Sequence, residues 1–100
     1  VLLGLADVLR HDEREIDELG IRKLSETEWR VPARVEIGAL ERAIAQQLPE
    51  GEYETVAGLL LATTGRIPLQ GEIVQIGEIS FRIEQSNERA LQTVVVRIKP

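Results

Sequence analysis

The sequence predicts an α+β fold in which an antiparallel sheet of about five strands carries two helices on one face. Three observations lead to this prediction. Apolar residues recur at spacings of three and four over residues 37–48, which is typical of an amphipathic helix. A second apolar stretch is followed by Gly65 and Pro68, two residues that stop helices. From Gly71 onward apolar and polar residues alternate, as in strands with one buried face. The predicted order is β-β-α-α-β-β-β.

The first two strands form a predicted hairpin. Two short extended stretches, 21–24 and 29–35, flank a polar turn over residues 25–28. Pro32 places the second strand at a sheet edge, or at the strand's own end, because proline cannot donate a hydrogen bond to a neighbouring strand. Trp29 has two equally good interpretations: it covers one end of the core, or it anchors a binding partner.

Two helices follow the hairpin. The first, over residues 37–48, places its isoleucines and leucines on one side and ends at the polar segment 49–52. The second, over about 54–64, is apolar around most of its circumference, so we expect neighbouring elements to cover it on more than one side. Gly65 suits a left-handed C-cap, and Pro68 cannot resume the helix. We therefore interpret residues 53–72 as scaffold and not as a site of chemistry.

Three strands complete the predicted fold. The first covers residues 73–76 and joins the next through a tight connection at Gly77 and Glu78. The second alternates Ile79, Phe81 and Ile83 with polar residues, which indicates one buried and one solvated face. The last strand, over residues 91–98, carries apolar residues on both faces, and such a strand is usually central in its sheet.

Length and composition exclude several classes of function. One hundred residues suffice for one domain with one core. The absence of cysteine excludes disulfides, thiolate metal sites and a cysteine nucleophile. Acidic residues outnumber basic ones 17 to 12, and the net charge of −5 argues against nucleic-acid binding. No apolar run approaches the ~20 residues of a spanning helix, so we expect no direct membrane insertion.

Candidate catalytic and metal-binding residues are few, and each has a simpler interpretation. His11 is the only histidine and has no nucleophile beside it, so we expect it to be solvated. Segment 65–71 contains two glycines but neither GxGxxG nor GxxxxGK[ST], so a helix cap is favoured over a phosphate loop. Two acidic clusters could attract a hard cation, but they lack the spacing of an EF-hand loop. These clusters are Asp12, Glu13, Glu15, Asp17 and Glu18, and separately Glu50, Glu52 and Glu54.

Four hydroxyl residues are candidate nucleophiles, but none has a base beside it in sequence. We therefore assign no catalytic residue and no metal ligand, and we leave any cofactor-binding residue unknown. The four residues are Ser25, Thr55, Thr63 and Thr64.

The N-terminal residues are predicted to lie outside the domain core. Residues 1–10 have a helical pattern and no partner to pack on. Residues 11–20 are a charge run, which is typical of a solvated linker or of a frayed helix. Because the chain starts at Val1 without methionine, we expect it to be a piece of a longer polypeptide.

Several short motifs along the chain resemble the transporter-associated domain of CorC/HlyC proteins. The resemblance covers about residues 20–99, and we therefore divide the chain into 1–19, the tail of a preceding CBS domain and an acidic linker, and 20–100, the transporter-associated domain. The motifs are Tyr53-Glu54-Thr55, Ala57-Gly58-Leu59, Gly65-Arg66-Ile67-Pro68, Gly71-Glu72 and Phe81-Arg82-Ile83, with Leu5-Ala6-Asp7-Val8-Leu9 and Glu15-Ile16-Asp17-Glu18 upstream.

The resemblance implies a function that composition does not. It implies a non-enzymatic module on the cytoplasmic side of the bacterial inner membrane, in proteins that export magnesium and cobalt. The implied partners are a CBS pair and a membrane-spanning domain of the same polypeptide, or a second copy of the chain. The fold is also related to FAD-binding domains, so binding of FAD or another adenine nucleotide is the alternative function. We expect no cofactor, since fold does not carry function by itself. A membrane-damaging hemolysin is disfavoured because the chain has no basic amphipathic helix.

Overall fold

Two helices and five strands make up the part of the chain that the computed structural model describes, residues 19–99. Their order is the predicted one, and the α+β class is confirmed. The predictions for residues 1–18, including those on His11 and its acidic neighbours, lie outside the described residues. The elements are β1 (Arg22–Lys23), β2 (Glu28–Pro32), α1 (Ile37–Ile44), α2 (Val56–Thr64), β3 (Ile73–Ile76), β4 (Ile79–Ser86) and β5 (Leu91–Ile98).

The strands form one antiparallel sheet in the order β1-β2-β5-β4-β3. The last strand is therefore central, as predicted. It pairs with β2 through Val94 opposite Val31, and with β4 through Val94 opposite Ile83. Pro32 is the final residue of β2, so it ends that strand and does not mark an edge.

The core lies between one face of this sheet and the two helices. Phe81, Val94 and Val96 are fully buried on the sheet side, and Leu40 and Leu60 are fully buried on the helix side. Trp29 is 7% exposed and belongs to the same cluster, which decides between its two interpretations in favour of the core. No polar or charged residue between 19 and 99 is buried, so the core is wholly apolar.

The first helix is four residues shorter than predicted. It ends at Ile44 because Ala45 takes a left-handed conformation, with φ of 57°, and donates its N–H to Glu41 O. Leu48 lies beyond the end of the helix but is still buried, with 6% of its surface exposed, as its place in the apolar spacing predicts. Its N–H donates to the Glu41 carboxylate at 2.7 Å, so a side chain from inside the helix holds the turn that replaces the last helical residues.

The second helix is covered along one stripe and not on several sides. Val56, Leu59 and Leu60 are buried, whereas Leu61 is 47% exposed. The expectation of a helix covered on more than one side is therefore wrong. With only two helices on the sheet face, no further element remains within residues 19–99 to cover the outer side of α2.

Ala45→Gly is expected to stabilise the domain. A left-handed conformation costs alanine about 1–2 kcal/mol and costs glycine almost nothing, while glycine loses more chain entropy on folding. We expect a net gain of about 0.5–1 kcal/mol in the free energy of unfolding, measured by urea denaturation. Ala62→Gly is the matched control: this exposed alanine lies inside right-handed α2, and its replacement should cost about 0.5–1 kcal/mol. Equal effects of the two variants would contradict the assignment of strain to Ala45.

Candidate functional site

The four candidate hydroxyl groups all form hydrogen bonds with the backbone. Each of them is bonded to a main-chain N–H or carbonyl, which is a structural role and supplies no activated nucleophile. Thr55 is the N-cap of α2 and accepts from Gly58 N–H at 3.1 Å, Ser25 Oγ accepts from Thr27 N–H at 3.2 Å, and Thr63 and Thr64 donate to Leu59 O and Leu60 O at 2.8 and 2.9 Å.

The acidic residues within the described range do not assemble a cation site. Between residues 19 and 99, no group of three histidine, aspartate or glutamate side chains comes together as metal ligands. Glu50, Glu52 and Glu54 all point into solvent. The backbone of Glu54 is engaged, since Glu54 O accepts from Ile37 N–H at 2.8 Å and so joins the segment to the start of α1.

The segment over residues 65–71 is a helix stop, as predicted. Gly65 has φ of 76° and donates its N–H to Leu61 O at 2.7 Å, which is the left-handed C-cap. Gly71 donates its N–H to Ile83 O at 2.7 Å and so starts the return into the sheet. Because these amides are used inside the fold, they do not form an anion-binding loop.

A bidentate ion pair closes this segment. Arg66 Nη1 and Nη2 donate to Glu72 Oε1 and Oε2 at 2.9 and 2.8 Å, and Leu69 N–H donates to the same carboxylate at 3.0 Å. The hydrogen bond from Arg66 and then that from Leu69 hold the pKa of Glu72 below its usual value. The Glu72 carboxylate likewise raises the pKa of Arg66. We call this pair the Arg66–Glu72 clamp.

Within the described residues, no helix covers the side of the sheet that faces away from α1 and α2, which we call the open face. Cross-strand partners on this side form rows, one of which runs Arg22, Arg30, Val95, Arg82 and Ile73. Val95 is 2% exposed although it is not part of the core cluster. Its burial therefore comes from neighbours on the open face.

An ion pair provides part of this cover. Arg30 Nε and Nη2 donate to the Glu84 carboxylate at 2.8 to 3.1 Å, and Arg30 is the cross-strand partner of Val95. Glu84 lies where the pairing of β4 with β5 shifts register. The Arg30–Glu84 pair spans β5, which lies between β2 and β4 in the sheet.

The open face carries more cations than its ion pairs use. Arg22, Arg82 and Arg97 are exposed, and within residues 19–99 none of them forms an ion pair. Glu28 lies opposite Arg97 in the strand register but is not within ion-pair distance of it. The row of arginines on this face has Val95 at its centre and Ile73 at its edge. Such a row can contact an acidic protein surface. It has no catalytic chemistry of its own.

The family of the chain follows from comparison with known proteins. A family model described as the transporter associated domain, CorC_HlyC, matches residues 22–100. The chain belongs to the CorC_HlyC family. The resemblance seen in the sequence motifs is thereby confirmed, and the match includes both the Arg66–Glu72 clamp and the open face.

Relatives of this CorC_HlyC domain are parts of larger proteins. The chain is 29% identical over 84 residues to the magnesium and cobalt efflux protein CorC of Salmonella typhimurium, which covers 84% of the chain and 29% of that protein. The chain therefore spans about three tenths of the length of that relative. Neither helix within residues 19–99 has the length and apolar character needed to cross a bilayer.

Solved structures share the fold of this CorC_HlyC domain. A CorC Mg²⁺ and Co²⁺ transporter-associated region from Neisseria meningitidis superposes with a TM-score of 0.72 at 28% identity, over 78% of this chain and 96% of that one. The transporter associated domain from a CBS domain protein of Porphyromonas gingivalis superposes with a TM-score of 0.67 at 16% identity, over 80% and 98%. The second likeness shows the fold alone.

The relation to FAD-binding domains stays a prediction. One groove of about 620 Å³ is lined by Ile67, Leu69, Ser86 and Glu88 among others, and its lining contains a carboxylate and no cation. A dinucleotide pyrophosphate requires cationic side chains or free backbone N–H groups. The residues of this groove therefore do not fit such a group.

Sequence reasoning found the elements of these surfaces but missed both ion pairs. Arg66 and Glu72 belong to the sequence motifs, but a separation of six positions across a helix stop predicts no contact between them. Arg30 and Glu84 are 54 positions apart and meet only because β5 inserts between their strands. No pattern local to either residue could have indicated the pair.

Acid should weaken the Arg66–Glu72 clamp. Because the pKa of Glu72 is lowered in the folded state, its contribution is complete above the usual glutamate pKa and is lost as the pH falls through the lowered value. We expect Glu72→Gln to lower the melting temperature at neutral pH and to flatten its decline in acid. Thermal unfolding followed by circular dichroism across pH measures both effects.

The control for the clamp is Glu50→Gln. Glu50 is exposed, and its side chain makes no hydrogen bond within residues 19–99, so this variant should keep the wild-type pH dependence. A Glu72→Gln variant that declines in acid as steeply as the wild type would show that the clamp is not the source of the acid sensitivity.

The Arg30–Glu84 pair should be energetically coupled. A double-mutant cycle with Arg30→Gln and Glu84→Gln is expected to give a coupling of about 0.5–1 kcal/mol, the upper range for a partly exposed pair, because the contact is bidentate. The exposed Lys23–Glu26 pair at 3.4 Å is the matched control and should give a coupling close to zero. Similar couplings for the two pairs, from urea denaturation, would contradict a special role of the pair over Val95.

Proposed function

We propose that this chain is a non-enzymatic accessory domain that modulates magnesium or cobalt transport by a CBS-containing membrane efflux protein. In this proposal the domain lies on the cytoplasmic side of the membrane and does not conduct ions itself. Its partners are the CBS pair and the membrane-spanning domain of the same polypeptide, or a second copy of the chain.

Family membership supports the transport context. The matched family is a transporter-associated domain, and the similar Salmonella protein is a magnesium and cobalt efflux protein of which this chain corresponds to a minor part. The Porphyromonas domain of the same fold comes from a CBS domain protein, which is the basis for naming a CBS pair as partner.

The open face supports a role through contacts. Catalysis requires converging reactive side chains, and residues 19–99 bring together neither a metal-ligand group nor a hydroxyl with a base. Residues 19–99 do present Arg22, Arg82 and Arg97 as exposed cations on one side of the sheet. The open face is the single observation that carries the proposal, because a contact surface is what a modulating domain needs.

Transport measurements on the full-length protein test the proposal. Deletion of residues 20–99 and the point variant Arg82→Glu should each change ion efflux or its response to adenine nucleotide. We expect a change of about fivefold or more, the lower end of the coupling usual between distinct sites. Ion efflux from loaded vesicles, with and without nucleotide, measures the effect.

Arg89→Glu is the matched control for the open face. Arg89 is also exposed and makes no ion pair within the described residues, but it lies in the turn between β4 and β5. This variant makes the same change of charge and should leave efflux unchanged. Efflux that is unaffected by deletion of residues 20–99 would refute the modulating role, and equal effects of Arg82→Glu and Arg89→Glu would refute the role of the open face.

A further inference from the structure

The two edges of the sheet differ in how they are protected against pairing with another chain. Among residues 19–99, β1 forms one edge and β3 forms the other. β1 has only two residues, and both are cations, Arg22 and Lys23. β3 has four residues, Ile73–Ile76, and contains no charged residue and no proline. Short and charged edge strands discourage pairing with a foreign strand, so β3 is the edge that a further strand can join.

The outer side of β3 carries backbone groups without a partner strand. A two-residue turn joins β3 to β4, with Ile76 opposite Ile79. In such a hairpin the closing pair is hydrogen-bonded, and hydrogen-bonded and non-bonded pairs then alternate along the strands. Ile73 and Gln75 occupy the non-bonded positions, so their N–H and carbonyl groups point away from β4. Within residues 19–99, β3 has no second neighbouring strand to receive them.

An exposed apolar side chain lies on the same edge. Ile73 is 62% exposed, whereas its neighbour Val74 is 6% exposed and packs in the core. The contacts of Val74 hold β3 against the domain, and Ile73 lies on the open face beside Arg82. A strand added at this edge would cover part of the Ile73 side chain, which is favourable because it removes apolar surface from water.

The sequence of β3 can pair with a second copy of itself. When two antiparallel copies meet with Val74 opposite Val74, Ile73 of each copy lies opposite Gln75 of the other. Both of these residues have outward-pointing backbone groups, so the two pairs exchange four hydrogen bonds. Glu72 of each copy then lies opposite Ile76 of the other, and no two charged residues face each other. We call this arrangement the Val74-centred register.

Charge and hydrogen bonding disfavour the two nearest alternatives. Sliding the second strand by two residues in one direction places Glu72 opposite Glu78 of the other copy, and like charges in directly opposite positions are destabilising. Sliding it by two residues in the other direction requires the N–H of Gly71, which already donates to Ile83 O at 2.7 Å. The Val74-centred register avoids both problems and uses all of the outward-pointing groups.

We propose that β3 pairs antiparallel with β3 of a second copy of this chain, in the Val74-centred register. The two sheets then become one sheet of ten strands, with the charged β1 strands at its two ends. Because the same surface is used by both copies, the assembly closes at two. This pairing names the surface for the second-copy contact in the proposed function and rests on that part alone. Its test measures association and not transport, so its failure leaves the modulating role intact.

Sedimentation equilibrium of the 100-residue chain tests the pairing. The mean mass should rise from one chain toward two over the micromolar to millimolar range and should stop at two. Gln75→Pro should raise the dissociation constant about tenfold or more, because it removes one outward N–H from each copy and so two of the four interchain bonds. Proline is tolerated on an edge strand whose N–H faces solvent. Gln75→Ala is the matched control, since it removes the same side chain, keeps the N–H and should keep the association.

A second pair of variants tests the edge through charge. Ile73→Lys places a cation on β3, as protected edge strands do, and should weaken the association about tenfold or more. Ile73 is exposed, so this change leaves the core intact. Leu24→Lys is the control: Leu24 is 39% exposed beside β1 at the opposite edge, and its replacement should have no effect. A mass of one chain at every concentration, or equal effects of the two lysine variants, would overturn the proposal.

Disulfide cross-linking tests the register, because the natural chain contains no cysteine. Residues in a hydrogen-bonded antiparallel pair have Cα atoms about 5.5 Å apart, which suits a disulfide. A mixture of Ile73→Cys and Gln75→Cys chains should therefore cross-link faster than either variant alone. Faster cross-linking of Gln75→Cys with itself would overturn the Val74-centred register.

Discussion

The position of β5 between β2 and β4 is the constraint on which the rest of the structure depends. Val94 and Val96 pair with β2 on one side and with β4 on the other, and all of these positions lie beneath the helices. Without β5 the sheet would separate into two pieces of two strands each, and an isolated two-stranded hairpin is at best marginally stable in water. The last strand of the described residues therefore joins two parts of the chain that the helices keep apart in sequence.

Because the helices cover only one face of this sheet, the opposite face is in contact with solvent. Two helices bury the side that carries Phe81 and Val96, while the open face must remain compatible with water. The Arg30–Glu84 pair lets an apolar residue, Val95, remain buried on that side, and arginines surround it. Exposed arginines without an ion pair in the described residues therefore lie on this face. In the proposed function, this face makes the contacts with other domains.

Charged side chains form hydrogen bonds in two loops of this domain. The Arg66–Glu72 clamp closes the connection from α2 to the sheet, and the Glu41 carboxylate binds the Leu48 N–H after α1. Both interactions are local and partly exposed, so they order short segments and add little to global stability. Most of the net negative charge of the chain lies in residues 1–18, which precede the described domain in sequence. The domain proper and the segment that leads into it therefore differ in charge.

The sequence by itself determined the features that depend on neighbouring residues. The alternation through Ile79, Phe81 and Ile83 and the stop at Gly65 are set by backbone geometry within a few positions, and both predictions are confirmed. The tertiary structure alone decided which long-range partners meet. It buried Trp29, left Leu61 exposed, ended α1 at a left-handed alanine, and brought Arg30 to Glu84 across 54 positions. These outcomes depend on which strand lies beside which and on how many helices share one sheet face, and no local pattern in the chain encodes that arrangement.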